Sequence, residues 1–137
     1  MKRFFSILFL LFLTANLSEA VNVYDEYGQR TGSFRESSTG FSKYDQYGRK
    51  TESYRETSTG YSKYDQYGRK TGSFRETSSG YTEYDSYGRR VGTYKKNSNG
   101  TTIKYDQYGR QAGTFKEDSS GRITEYDQYG RRVRTYR

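Results

Sequence analysis

The 137-residue sequence contains no cysteine, proline, histidine or tryptophan. Without histidine there is no imidazole to act as a general base, to complete a Ser-His-Asp triad or to bind a metal ion. Without cysteine there is no thiol nucleophile, disulfide bond, zinc ribbon or lipoprotein anchor. Neither a GxSxG nucleophile motif nor a phosphate-binding P-loop is present. We therefore predict a protein that is not an enzyme and that uses no cofactor and no metal ion.

Aliphatic side chains are scarce beyond residue 20. All five leucines and the single methionine lie within the first 17 residues, and the last 117 residues contain ten Leu, Ile, Val or Phe side chains. That share is far below the roughly 20% at which an ordinary globular core becomes doubtful. All 17 tyrosines follow residue 20, so tyrosine must supply most of the apolar packing. A disordered chain is the alternative that this composition leaves open.

The first twenty residues have the layout of a secretory signal peptide. Lys2 and Arg3 form a positive start, residues 4–13 are mostly apolar, and small residues precede Val21. A membrane anchor is the alternative, but ten apolar residues span about 15 Å as a helix, which is about half of a hydrocarbon core. We predict that residues 1–20 are removed. The product is then a secreted, extracellular or periplasmic protein, associated with the cell surface and without a stable transmembrane segment.

The dipeptide Tyr-Asp recurs six times at spacings of 20 or 21 residues. Each copy opens the phrase Tyr-Asp-x-Tyr-Gly, and another glycine ends a short polar run between successive copies. Asp, Asn or Ser followed three residues later by Gly is the preference of a type I turn. The predicted turn-forming residues of the Tyr-Asp phrases are Asp25, Gly28, Asp45, Gly48, Asp65, Gly68, Asp85, Gly88, Asp106, Gly109, Asp127 and Gly130.

Turns at this density leave segments that are too short for helices and that suit antiparallel strands rich in Tyr, Thr, Phe and Val. We predict an all-β fold over residues 21–137, an elongated array of tandem antiparallel β-hairpins with about six repeats of 20–21 residues. The array forms a twisted meander or a β-solenoid-like sheet, with aromatic rings packed between neighbouring hairpins, so that a compact core is not required. The last two full periods contain one extra residue, which a bulge or a longer loop must absorb.

The third repeat predicts a strand register. With residues 65–68 as the loop, Tyr64 lies opposite Arg69 and Tyr61 lies opposite Gly72, where an aromatic ring would shield the glycine. A slip of one residue would exchange the two faces of the sheet. The predicted faces hold Tyr61, Phe74 and Tyr81 on one side, and Tyr64, Thr71, Ser73 and Tyr84 on the other.

The last copy, Tyr126-Asp127-Gln128-Tyr129-Gly130-Arg131, resembles the YD repeat of the RHS family. Five of the six copies keep arginine after the glycine, and the first copy has Gln29 there. Members of that family are secreted or surface-associated β-hairpin arrays, often linked to carbohydrate binding. The resemblance implies the same fold type and an exported location for the repeat region. The chain departs from the family in its basic residues after Gly-Arg, such as Lys50, and has too few repeats to form a shell around a toxin.

Positive charge is concentrated in the second half of the repeat region. Residues 21–83 carry a net charge of +1, whereas residues 84–137 carry +6. A basic surface with interleaved tyrosine rings holds polyanions by charge, and holds sugar rings or bases by stacking. The candidate glycan- or polyanion-binding residues are Arg89, Arg90, Arg110, Arg131, Arg132, Arg134, Arg137, Tyr108, Tyr129 and Tyr136.

Two polar features have a structural and a functional interpretation. The aspartates of the Tyr-Asp pairs are predicted to cap turns, because the sequence lacks the acidic density of calcium-binding loops. Asn99-Gly100-Thr101 is a glycosylation sequon, which matters only in a source that glycosylates such sites.

Two functions fit the sequence. The first is a secreted, non-enzymatic binding module whose partner is an acidic glycan, a cell-envelope polymer or extracellular nucleic acid. The second is a structural subunit that self-associates into a surface filament or matrix, as curli-like repeats do. A third explanation of the basic charge is that it keeps a repetitive sheet soluble and free of edge-to-edge pairing.

Overall fold

The computed structural model describes residues 20–137 and contains twelve antiparallel strands joined by short turns. The predicted all-β chain of tandem antiparallel hairpins is thereby confirmed. The predicted signal peptide falls on residues 1–19, outside the described residues, and on Ala20. The strands are β1 (Val21–Asp25), β2 (Arg30–Ser37), β3 (Gly40–Asp45), β4 (Lys50–Glu56), β5 (Gly60–Asp65), β6 (Lys70–Glu76), β7 (Gly80–Asp85), β8 (Arg90–Lys96), β9 (Thr102–Asp106), β10 (Gln111–Glu117), β11 (Ile123–Asp127) and β12 (Arg132–Tyr136).

The strands close into a barrel, so the prediction of an open twisted meander or solenoid was wrong. Each strand pairs with its neighbours along the chain, and β1 also pairs with β12. In this last pairing Val23 lies opposite Tyr136, and Asn22 exchanges two backbone hydrogen bonds of 2.7 and 2.9 Å with Arg137. Closure satisfies the backbone N–H and C=O groups that an open sheet would leave unpaired along both edges.

Six turns, one for each Tyr-Asp phrase, lie together at one end of the barrel. In the third of them, the amide of Asp65 donates to the carbonyl of Arg69 and the amide of Gly68 donates to the carbonyl of Asp65. This is a type I turn completed by a glycine bulge. Gly68 has a φ of 83°, a conformation that costs other residues free energy.

The five polar turns lie at the opposite end of the barrel. The extra residue of the last two periods lies in turns 97–101 and 118–122, where the amide of Asn97 bonds the carbonyl of Thr101 and that of Asp118 bonds the carbonyl of Arg122. The preceding turns are one residue shorter, with the amide of Thr57 bonding the carbonyl of Gly60. The expectation of a longer loop is therefore confirmed.

A second irregularity in each Tyr-Asp hairpin shifts the register. Tyr64 pairs with Lys70 and Lys63 pairs with Gly72, so that Tyr61 lies opposite Phe74. The predicted pairing of Tyr61 with Gly72 was wrong, because it did not include the glycine bulge and the bulge at this second position. The assignment of Tyr61 and Phe74 to a common face is confirmed.

Aromatic side chains fill the barrel at the polar-turn end. Rings on alternate strands contact one another, with centroids 5.2 Å apart for Phe41 and Tyr61 and 6.4 Å apart for Tyr61 and Tyr81. Burial of such a side chain contributes about 1.5–3 kcal/mol relative to its exposure. A compact core therefore exists, although the composition did not require one. Its members are Val21, Val23, Phe34, Phe41, Tyr54, Tyr61, Phe74, Tyr81, Tyr94, Phe115, Ile123 and Tyr136.

Residues 20–137 include no helix with the length and apolarity needed to span a membrane.

Candidate anion-binding surface

Charge is divided between the two faces of the sheet. Side chains in register with the core point into the barrel, and those at alternate positions point outward. Within the twelve described strands and the paired residue that follows β12, every outward charged side chain is basic. These outward cations are Arg30, Arg35, Lys50, Arg55, Lys70, Arg75, Arg90, Lys95, Lys116, Arg132 and Arg137.

The glutamates of the described strands lie on the inward face, in register with core residues. Three of them accept hydrogen bonds from buried tyrosine hydroxyls: Glu52 from Tyr54 at 2.6 Å, Glu83 from Tyr94 at 3.0 Å and Glu125 from Tyr136 at 2.8 Å. The inward glutamates are Glu36, Glu52, Glu56, Glu76, Glu83, Glu117 and Glu125.

Burial and these carboxylates together hold the tyrosines neutral. Burial, and after it the negative charge of Glu52, raises the pKa of the Tyr54 hydroxyl far above its ordinary value. Burial followed by Glu83 does the same to the pKa of Tyr94. A phenol that stays protonated donates a hydrogen bond to the carboxylate, so each pair satisfies two polar groups inside the barrel.

Some inward cations are paired with inward carboxylates, whereas Lys104 lies over the Tyr94 ring at 5.8 Å from its centroid. Lys63 lies 3.5 Å from Glu52, and the guanidinium of Arg134 lies 3.4 Å from Glu125. A cavity of about 640 Å³ borders on Lys43, Glu52 and Arg134. Four carboxylates and two cations line this cavity, so its net charge does not favour an anion.

An outward ring of tyrosines runs around the barrel between the cations. One cation lies diagonally across each tyrosine ring, at 4.4–5.6 Å from the ring centroid. Such contacts are cation–π interactions. We call this set the tyrosine–cation belt, and its pairs are Tyr24 with Arg137, Tyr44 with Arg35, Tyr64 with Arg55, Tyr84 with Arg75, Tyr105 with Lys95 and Tyr126 with Lys116.

Most belt tyrosines have a second cation, directly opposite on the neighbouring strand. Lys70 opposes Tyr64 and Arg132 opposes Tyr126, whereas Gln111 takes this position beside Tyr105. Serine and threonine side chains occupy most outward positions between the tyrosines, for example Ser53 opposite Tyr64. Ser33, Ser42 and Ser62 are buried, whereas the others are half-buried. The belt therefore offers cations and aromatic rings in a pattern that repeats at every second strand, about 10 Å apart, with accessible hydroxyls at some of the positions between them.

The Tyr-Asp turns form a separate surface that we call the crown. Its tyrosines are 71–82% exposed, and five of them lie against an arginine of the same turn at 5.1–5.2 Å. Crown arginines are also bound to their aspartates, as Arg69 Nε is to Asp65 Oδ2 at 2.9 Å. The crown tyrosines are Tyr27, Tyr47, Tyr67, Tyr87, Tyr108 and Tyr129.

The aspartates of the crown are occupied by their own turns. Asp65 Oδ1 accepts the backbone amides of Tyr67 and Arg69, both at 2.9 Å. The hydrogen bond from the Arg69 amide, followed by the Arg69 side chain, holds the pKa of this carboxyl below its usual range. Within residues 20–137, no group of three or more Asp or Glu is arranged to hold a metal ion.

The sequence-predicted binding residues lie in three places. Arg90, Arg132 and Arg137 belong to the outward face, whereas Arg134 and Tyr136 lie inside the barrel. The crown contains the remainder, which are Arg89, Arg110, Arg131, Tyr108 and Tyr129.

Sequence reasoning missed the outward cations of the first half of the chain, such as Arg35 and Lys50. Net charge is nearly balanced there because glutamates offset these cations, although the strand glutamates point inward. Alternation of the two signs along each strand is the pattern that would have found them.

No family model, curated protein or solved structure matches the chain. The resemblance to the YD repeat of the RHS family stays a prediction, and it rests on the Tyr-Asp-x-Tyr-Gly-Arg phrase, on Gly121 before its last copy and on the repeat spacing of 20 or 21 residues.

Proposed function

We propose that the protein binds an acidic polysaccharide through the tyrosine–cation belt and that it does so without catalysing a reaction. The observation that carries the proposal is the sign of the outward strand charges, which are all basic in the described strands. Eleven cations without an interspersed carboxylate repel one another. A polyanion relieves this repulsion and gains contacts from each repeat.

A role of the basic charge in solubility alone explains fewer features of this surface than polysaccharide binding does. Surface charge that serves solubility is commonly of both signs, interspersed, rather than of one sign on a whole face. This chain contains enough carboxylates for such a mixture, yet its strand glutamates point inward. The belt also adds rings and hydroxyls at regular intervals, which suit a polymer of repeating sugar units.

Export is part of this proposal because an acidic polysaccharide is met outside the cell. It rests on the predicted signal peptide at residues 1–20 and on the absence of cysteine, which makes the fold independent of the redox state of the compartment.

Self-assembly into a filament is the second candidate, and barrel closure argues against one form of it. Growth by strand addition needs a free sheet edge, whereas each of the twelve described strands has two neighbours. The rings that would form a dry zipper between stacked sheets are buried inside the barrel.

Retention on an immobilised sulfated polysaccharide tests the proposal, with neutral polysaccharide and double-stranded DNA columns beside it. We expect the full chain to bind the sulfated column at low salt, to elute as salt rises because the contacts are screened, and to pass through the neutral one. No retention on the sulfated column at low salt overturns the proposal. Elution from DNA at a higher salt concentration than from the sulfated column reassigns the belt to nucleic acid.

A pair of triple variants locates the binding surface. Arg35→Gln, Arg55→Gln and Arg75→Gln together neutralise three belt cations, and we expect about tenfold weaker binding or more, which corresponds to about 1.4 kcal/mol. The matched control changes Arg49, Arg69 and Arg89 to Gln, in the crown turns that follow the partner tyrosines of these three cations. It alters net charge equally, so equal loss of retention in both variants contradicts a role for the belt.

A further inference from the structure

The seam where β12 meets β1 contains two adjoining outward depressions. One has a volume of about 300 Å³ and the other about 130 Å³. Arg122, Arg132 and Thr135 border on both, so the two form one continuous cleft along the seam. We call it the seam cleft.

Two threonines form the floor of the seam cleft. Thr135 of β12 lies opposite Thr124 on one side and opposite Tyr24 on the other. Lys116 lies opposite Thr124 on the next strand. One row across four strands therefore presents an ammonium group, two hydroxyls and an aromatic ring, all on the outward face.

Cations and rings surround this floor. The guanidinium of Arg137 lies 4.4 Å from the centroid of the Tyr24 ring, and the ammonium of Lys116 lies 5.4 Å from that of Tyr126. Arg132 lies opposite Tyr126, and one of its terminal nitrogens donates to the carbonyl of Glu26 at 3.4 Å. Up to this point the seam repeats the arrangement found elsewhere on the belt.

Arg122 distinguishes the seam from the other belt positions. Arg122 directly precedes Ile123, the first inward residue of β11. The residues in the same position at the start of β3, β5, β7 and β9 carry no charge, and they are Gly40, Gly60, Gly80 and Thr101. Arg122 Nε bonds Asp118 Oδ2 at 3.0 Å, which orients the side chain. The terminal guanidinium nitrogens are further donors, since arginine has five N–H groups.

Three acidic residues also border on the cleft. Asp118 Oδ1 accepts the backbone amides of Ser120 and Arg122, and Asp25 Oδ1 accepts those of its own turn. Glu117 is in register with Ile123 on the inward face. The lining thus carries four cations against three carboxylates, a net charge of +1.

We propose that the seam cleft binds a single anionic sugar unit, and that this is the strongest subsite of the belt. The inference rests on the proposed binding of acidic polysaccharide. Arg122 and Arg132 hold the sulfate or carboxylate group of the unit, Thr124 and Thr135 bond its hydroxyls, and Tyr24 or Tyr126 faces the ring.

Titration of the full chain with a sulfated disaccharide tests the subsite by NMR of backbone amides. We expect the largest shifts at Thr124, Thr135 and Arg122. A uronic acid disaccharide without sulfate forms the second arm, and the tighter of the two ligands identifies the anionic group that the cleft prefers. Shifts spread evenly over all six hairpins overturn the subsite but leave binding by the belt intact. Failure of the immobilised polysaccharide to retain the chain overturns both proposals.

Matched substitutions give an independent measurement. Arg122→Gln and Arg132→Gln each remove one charge-assisted contact, and we expect each to weaken binding of the disaccharide about tenfold. Arg69→Gln is the control, because Arg69 Nε bonds Asp65 Oδ2 of its own turn in the crown, as Arg122 Nε bonds Asp118 Oδ2 at the seam. Equal weakening by R122Q and R69Q contradicts the subsite, whereas no effect of R69Q supports it.

Discussion

At the scale of single residues, the aspartate of each Tyr-Asp phrase joins its turn to the strand that follows. Asp65 caps two amides with one carboxylate oxygen and binds the side chain of Arg69 with the other. Asp25 caps its turn in the same way, although Gln29 replaces the arginine. These roles follow from local spacing, which is why turn chemistry was predictable from sequence.

The same carboxylates predict a loss of stability in acid. Backbone amide bonds, and the arginine side chain with them, hold the pKa of Asp45, Asp65, Asp85 and Asp127 below the usual range. A pKa lowered in the folded state means that the stabilisation is complete above the unfolded value of about 3.9. It is lost as pH falls through the lower folded values.

Urea unfolding monitored by circular dichroism between pH 5 and pH 2 measures this effect. The lower limit matches the pKa of Asp118, which is lowered to about 2. We expect the urea concentration at the midpoint of unfolding to decrease as the pH falls below about 4. Asp65→Asn is the control, because its amide oxygen can still accept the two turn amides while the charge is absent. Its decline with pH should be shallower than that of the wild type. A midpoint that stays constant from pH 4 to pH 2 contradicts the account.

At the scale of strands and hairpins, the alternation of aromatic residues predicted the faces correctly but not the register. Tyr61 and Phe74 share the inward face as expected. The exact partners depend on two bulges in each hairpin, and the predicted register did not include the second one, at Thr71. For this reason the sequence identified the core-facing side chains but placed Tyr61 opposite the wrong residue.

The glycine bulge of each hairpin gives a prediction at this scale. Gly68 has a φ of 83°, and a Cβ placed there meets no atom within 4 Å. The cost of Gly68→Ala is therefore conformational rather than steric, and we expect about 1 kcal/mol lower free energy of unfolding. Gly68→Asn should cost less, because asparagine adopts this conformation more readily. Chemical denaturation of both variants checks the order, and an alanine variant as stable as the wild type refutes it.

At the scale of the whole molecule, closure turns a repetitive sheet into a barrel with two chemically distinct faces. The sequence did not predict closure, because pairing of β1 with β12 joins residues more than 100 positions apart and each repeat alone fits an open sheet equally well. Without closure there is no inside, so the inward placement of Glu52 and Glu125 and the basic exterior were also missed. The ten predicted binding residues therefore lie partly on the outward face, partly in the crown and partly inside the barrel.

Two replacements at the repeated glycine position show how closure tolerates charge inside. Glu52 stands where other hairpins have a glycine such as Gly72, and it lies between Lys43 and Lys63 at 4.0 and 3.5 Å. Arg134 occupies the same position in the last hairpin and pairs with Glu125. Each replacement adds an inward charge of the sign opposite to its neighbours, which leaves the outward face basic.

A disulfide across the seam tests closure most directly, since the native sequence has no cysteine. Tyr24 and Thr135 are directly opposed, and opposed antiparallel residues have Cα atoms about 4.5–5.5 Å apart, within reach of a disulfide. In an open sheet of twelve strands the two edges are about 50 Å apart. Tyr24→Cys with Ser73→Cys, on β1 and β6, is the control pair and should stay reduced.

The measurement is the oxidation state and size of the Tyr24→Cys, Thr135→Cys chain after mild oxidation at low protein concentration. The account predicts a monomer with both thiols lost to an intramolecular disulfide. Two free thiols, or dimers linked between chains, would show that β1 and β12 do not meet and would contradict the closed barrel.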